Sequence, residues 1–221
     1  MSSSRFPSAF PSYCSRVIRQ QLPGVRAQQK MAPDPDNRPD LDNLDGLKPR
    51  VSAVLILFSL QHPHSILYTV RNQKLLHHGG QISFPGGRQD GNETPRETAC
   101  REAAEEVGIH PHQYEIAGCL SPIFVPPSQF LVHPWIAFCD GRPDLSIQTS
   151  EVSEAFWVTM DDLLNQDKIK TGELSYRQKT LTYPYWDVHR VPLWGATAMI
   201  TSEIVALYRN FLDEESGAEN D

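Results

Sequence analysis

Glu102, Glu105 and Glu106 crowd a five-residue window, with Arg101 beside them and Glu93 just upstream. Thr94, Pro95 and Glu97 form a capping-box start with proline at the first helical position, and Gly108 supplies a stop. These signals predict a helix over Pro95–Val107. At about 100° per residue, Ala99, Cys100, Ala103, Ala104 and Val107 share one arc, while the three glutamates share a separate stripe. Such a stripe has two readings. As a solvated face it gains about 0.2–0.5 kcal/mol from a pair such as Glu97 with Arg101, and loses a similar amount where Glu102 meets Glu106. As a ligand set it turns that repulsion into oxygen coordination of a hard divalent cation, Mg²⁺ or Mn²⁺.

The stretch leading into the helix, "LYTVRNQKLLHHGGQISFPGG", carries the opposite charge. Arg71, Lys74, His77 and His78 stand beside a glycine-rich turn, where cations meet phosphates that the glutamates repel and glycine lets backbone approach an anion. Downstream, Glu151 and Glu154 in "SEVSEAFWV" are candidates for a proton acceptor on a loop, or else residues of a solvated strand edge.

Strands and helices must hold these groups together. "RVSAVLILF", apolar on both faces, predicts a buried strand, and "SILYTVR" a second, joined through "QHPH". Further strands are expected at 114–120, 130–138 and 155–158. A closing helix places Ile200, Ile204, Leu207, Tyr208 and Phe211 at helical spacing. Strands mixed with two main helices imply a sheet between helices, an α/β/α sandwich. The expected organisation is an N-terminal helix with a flexible Pro- and Asp-rich segment over 1–46, one folded domain over 47–213 and a flexible charged tail over 214–221. The N-terminal segment offers little to bury, so a chain starting near Asp45 is expected to keep its fold.

With 221 residues the chain suits one domain with an appendage. A net charge of −7 argues against a nucleic-acid surface and favours cationic partners. The four cysteines include no CxxC pair, which points to free thiols in a reducing interior. The longest apolar run is only of strand length, so no membrane partner is expected. Residues 1–30 lack Asp and Glu and faintly resemble an organellar transit peptide, making the mitochondrion the alternative to a cytoplasmic location. A homodimer is left open.

The wider spacing identifies a family. Gly87, five residues, Glu93, seven residues, Arg101-Glu102, then Glu105-Glu106 and Gly108-Ile109 match the Nudix hydrolase signature at every position. At roughly 7% per fixed position, the seven Gly, Glu and Arg identities among these arise by chance about once in a hundred million starts. The resemblance implies a loop-helix-loop in an α+β, Nudix-type sandwich with a mixed sheet. It implies divalent metal on Glu102, Glu105 and Glu106 with the Gly87 carbonyl completing the shell, and an architectural ion pair between Glu93 and Arg101. Glu102 is the first choice of proton acceptor. The upstream residues Leu67, Thr69, Arg71, Gly80, Phe84, Pro85, Gly86 and Gly87 resemble the coenzyme A pyrophosphatase branch, although Leu76 stands where that pattern carries an arginine. That branch implies cleavage of coenzyme A or its thioesters to 3′,5′-ADP and 4′-phosphopantetheine or its acyl form. Arg71, Lys74, His78 and Gly86 become the expected substrate contacts. ADP-ribose or a dinucleotide is the alternative substrate, and a silent ligand sensor the alternative role.

Overall fold

The computed structural model describes residues 9–33, 48–75, 78–176 and 179–218. Two helices, α1 (Ala9–Gln20) and α2 (Gly24–Gln29), precede the sheet. Strand β1 (Arg50–Ser59) is its centre. On one side it pairs antiparallel with β2 (Ser65–Arg71) and β4 (Gly86–Arg88). On the other it runs parallel to β7 (Phe130–Cys139), from Arg50 opposite Phe130 to Ser59 opposite Cys139. Strands β3 (Ile82–Ser83) and β8 (Val152–Thr159) extend the sheet from β2, and β5 (Glu115–Cys119) and β6 (Ile123–Val125) from β7. The result is an eight-stranded mixed sheet.

Because successive strand residues face opposite ways, β1 feeds two cores. Ala53, Leu55 and Leu57 pack under α3 (Pro95–Val107) with Ala99, Ala103 and Val107. Ile56 and Phe58 pack on the other side with Ile200, Ile204 and Leu207 of α5 (Gly195–Ala218). A short α4 (Met160–Leu164) and a separate hairpin, β9 (Ile169–Tyr176) with β10 (Lys179–Trp186), flank α5. The fold is thus the expected α+β sandwich, with α3 on one face and α5 on the other. Among the described residues no helix is long and apolar enough to cross a membrane.

The chain termini differ from the sequence reading. Phe10 of α1 is fully buried, its ring 5.0–5.6 Å from those of Phe58, Phe138, Tyr208 and Phe211. Gln28 of α2 is buried too, donating through Nε2 to the Ser121 carbonyl at 2.9 Å and to Glu203 Oε2 at 3.0 Å. These helices pack into the α5-side core, a placement the sequence reading did not give the N-terminal segment. Composition does not show this, because the partners of Phe10, Tyr13 and Cys14 lie on distant strands and on α5. At the other end α5 continues through Ala218, beyond 213, and Arg16 of α1 pairs with Glu214 at 2.6 Å. Residues 34–47 lie outside the described residues.

Candidate active site

The α3 helix starts as its sequence dictates. The Thr94 side chain accepts from the Glu97 N–H, the Glu97 carboxylate accepts from the Thr94 N–H, and Gly108 closes the helix at φ 72°. These stops fix which side chains reach back over β4. Glu106, only 1% exposed, accepts the Gly86 N–H at 3.1 Å through Oε2, and its Oε1 lies 3.5 Å from Nη1 of Arg71. Glu102 lies against Gly87 so closely that a Cβ on Gly87 would sit 2.4 Å from its Oε1. Gly86 has no room either, since a Cβ there would be 2.4 Å from the Ala53 carbonyl oxygen. Both glycines are therefore required by close approach, one to a functional side chain and one to the central strand.

A third carboxylate arrives from elsewhere. Glu151, just before β8, is positioned by its N–H to the Gln148 carbonyl and by Asn72, whose N–H donates to the Glu151 carbonyl at 2.8 Å. Oxygens of Glu102, Glu106 and Glu151 all lie within 4.8 Å of one another. Glu105, 56% exposed, stands at the rim and accepts from Arg101 Nη1 at 2.9 Å, the same nitrogen that donates to Glu102 Oε1 at 2.8 Å. The rest of the Arg101 guanidinium grips Glu93, Nη2 at 2.8 Å from Oε1 and Nε at 3.1 Å from Oε2. These bonds hold the Glu93 carboxyl down to about 2 and tie the loop after β4 to the helix.

The cluster is electrostatically unfavourable as it stands. Burial pushes the Glu106 carboxyl up to about 7, against the opposing pull of the Gly86 N–H and Arg71. Burial also raises Glu102. Desolvation disfavours the charged form of such carboxylates, and a nearby cation favours it. The all-oxygen donor set, lacking sulfur and imidazole, fits a hard divalent ion.

Of the basic residues expected to meet substrate, only Arg71 contacts the carboxylates among the described interactions. Lys74 is exposed on the loop, and His78, also exposed, is engaged through Nδ1 with Gln81 Oε1 at 2.9 Å. Leu76 and His77 lie outside the described residues. Glu154 takes another direction. Its neighbours Ala155 and Trp157 pack on the α3 side and Phe156 on the α5 side, so alternation turns Glu154 toward α5. There it pairs with Arg190 and, at 3.3 Å, with His189. The spacing of the helix carboxylates gives no sign that Glu151, 45 residues beyond Glu106, joins them; its place at the head of a strand beside β2 is the only hint.

The model of the NUDIX domain matches residues 48–178. Over 163 residues the chain is 34% identical to a Mus musculus protein named peroxisomal coenzyme A diphosphatase NUDT7, covering 69% of this chain and 66% of that one. It is 33% identical over 162 residues to the Homo sapiens mitochondrial coenzyme A diphosphatase NUDT8, covering 70% and 67%. To an uncharacterized Nudix hydrolase, NudL, of Pectobacterium atrosepticum it is 31% identical over 159 residues, covering 70% and 81%. The chain spans between 55 and 66% of the length of three curated relatives that it matches. Among solved structures it resembles a Nudix hydrolase from M. smegmatis, RenU, with a TM-score of 0.52 at 20% identity over 73% of this chain and 87% of that one, a likeness of fold.

Proposed function

The chain belongs to the Nudix family, and from that premise we propose that it is a divalent-metal-dependent pyrophosphohydrolase that cleaves the diphosphate of coenzyme A or acyl-coenzyme A. The observation that carries the reading is the convergence of Glu102, Glu106 and Glu151 against the Gly86–Gly87 backbone and beside Arg71. The coenzyme A assignment rests on the names of the relatives and on the "LYTVR" to "FPGG" stretch.

Phosphorus in a diphosphate is shielded by anionic oxygens, so attack needs charge neutralisation and an oriented water. Glu102, Glu105 and Glu106 with the Gly87 carbonyl, joined by Glu151, would hold Mg²⁺ or Mn²⁺, which when bound neutralises the diphosphate and acidifies water. The protein's own groups do the rest. Arg101 and Glu93 lock the loop so that the Gly86–Gly87 backbone stays under the helix. Arg71, 3.5 Å from Glu106, balances carboxylate charge and is the cation nearest to hand for an incoming phosphate. Glu102, with a carboxyl raised by burial, accepts the proton of the attacking water as the new P–O bond forms. The bridging oxygen leaves with its electron pair, giving 3′,5′-ADP and 4′-phosphopantetheine or its acyl form. A panel of coenzyme A, 3′-dephospho-coenzyme A and ADP-ribose with Mg²⁺ or Mn²⁺, products identified by mass, tests the reading. Preference for ADP-ribose would remove coenzyme A as the substrate, and no hydrolysis of any would remove the enzyme.

A further inference from the structure

Glu151 is the exposed member of the carboxylate cluster, and its charge opposes those of Glu102 and Glu106. Repulsion acts to swing such a side chain outward, so its backbone must hold it in reach. That backbone, over 146–152, hangs from two supports. At the end of α3 the Ser146 and Gln148 N–H groups donate to the Val107 and Glu106 carbonyls at 3.0 and 2.9 Å, carbonyls that a helix end leaves unpaired. At the end of β2 the support is Asn72. Its backbone N–H donates to the Glu151 carbonyl at 2.8 Å, and its Nδ2 donates to the Thr149 carbonyl at 2.7 Å. Its Oδ1 accepts the Lys74 N–H at 2.9 Å, an Asx turn that opens the basic loop. Because Nδ2 meets a carbonyl and Oδ1 meets an N–H, the partners fix which way the amide points. Among the described residues no other side chain hydrogen-bonds the backbone of 148–151.

We propose that Asn72 is a positioning residue for the divalent ion. Its amide holds the turn at 148–151 so that Glu151 stands with Glu102 and Glu106, and the same side chain fixes the start of the basic loop. The inference rests on the metal-dependent reading above and concerns a residue whose own side chain bonds no carboxylate. A short amide is what the place requires. Alanine keeps the backbone bond to Glu151 and releases Thr149 and Lys74, while aspartate keeps an acceptor for Lys74 and has no donor for Thr149.

Calorimetric titration of the metal-free full chain with Mn²⁺ tests it. Asn72→Ala should bind Mn²⁺ about ten- to a hundredfold more weakly than wild type, the loss that follows removal of a group orienting a metal ligand. Both lost side-chain bonds are exposed, so water replaces them and the variant should fold. Asn72→Asp provides a second measure with a sign of its own. The added negative charge by itself would tighten Mn²⁺, whereas loss of the Thr149 bond should weaken it. In a Glu151→Gln background Asn72→Ala should change the affinity by less than about twofold, because the ligand it positions is gone. The proposal is overturned if Asn72→Ala binds Mn²⁺ as wild type does, if Asn72→Asp binds it as tightly as wild type or more so, or if the loss in Asn72→Ala is undiminished beside Glu151→Gln. Mn²⁺ binding by a wild type that hydrolyses no diphosphate would remove the proposed function and leave the role of Asn72 standing; no Mn²⁺ binding by the wild type would remove both.

Discussion

The Gly86 backbone N–H donates to Oε2 of Glu106 at 3.1 Å, a bond that spans twenty residues and seats a buried carboxylate on the strand leading into its own helix. The single bond does not compensate the desolvation of Glu106, whose carboxyl rises from 4.5 to about 7. A carboxyl raised on folding contributes stability that is complete below its unfolded value and is lost as pH rises through the folded one. The metal-free protein should therefore lose on the order of 3 kcal/mol between pH 4.5 and pH 7 from this group. Glu106→Gln should flatten that slope. Saturating Mg²⁺ or Mn²⁺ should restore wild-type stability at pH 8, by about 2.7 kcal/mol at a hundredfold excess over Kd. Urea unfolding across pH, with and without chelator, checks all three; a wild-type slope unchanged in Glu106→Gln would remove this explanation.

The two adjacent glycines should separate fold from function. A Cβ on Gly87 meets the movable end of Glu102, whereas one on Gly86 meets the backbone of Ala53 and Val54. Gly87→Ala should fold with stability within about 1 kcal/mol of wild type and lose at least tenfold in kcat/KM as Glu102 is pushed aside. Gly86→Ala should cost about 1–3 kcal/mol of stability through overpacking. Equal unfolding midpoints with equal turnover in both variants would show that neither contact matters.

The α1 helix should prove part of the core. Phe10→Ala removes a ring held among four others and should cost about 3–5 kcal/mol, lowering Tm by on the order of 10 °C. A chain starting at Asp45 should unfold at lower temperature still, or fail to accumulate. A truncated chain that melts like the full one would return α1 to the status of an appendage.

The contrast between α3 and α1 shows what local sequence discloses. The limits of α3, its small apolar arc and its acidic stripe are set by residues within one helix, by a proline, a capping pair and a terminal glycine, so they are legible without the fold. The central strands are legible for the same reason, because their apolar runs match their burial on both faces. Phe10 is not, since what buries it is a ring cluster assembled from β1, β7 and α5. Glu151 is only partly legible: sequence offers it beside Glu154 as a loop candidate, and the pairing of β8 with β2 is what brings it, and not Glu154, beside Glu106. Arg71 is half legible: its charge beside a glycine turn suggests a phosphate contact, while its proximity to Glu106 follows from sheet register.

The basic loop should divide by role. Lys74, exposed and without a described contact to the carboxylates, should act in binding alone, so Lys74→Ala should raise KM for coenzyme A severalfold with kcat unchanged. It should affect 3′-dephospho-coenzyme A less. Arg71→Ala should lower kcat as well, because Glu106 loses its neighbouring cation. Steady-state kinetics on both substrates decide this, and equal effects of the two variants on kcat would argue against separate roles.

The central claim is that the Glu102, Glu106 and Glu151 cluster supports hydrolysis of a coenzyme A diphosphate. Its most direct measurement is coenzyme A turnover at saturating Mg²⁺ by wild type and by folded Glu106→Gln, with products identified by mass. The account predicts 3′,5′-ADP and 4′-phosphopantetheine from wild type, no turnover in chelator, and a rate at least about a hundredfold lower in the variant. Turnover that persists in chelator, or a Glu106→Gln rate equal to wild type, would contradict it.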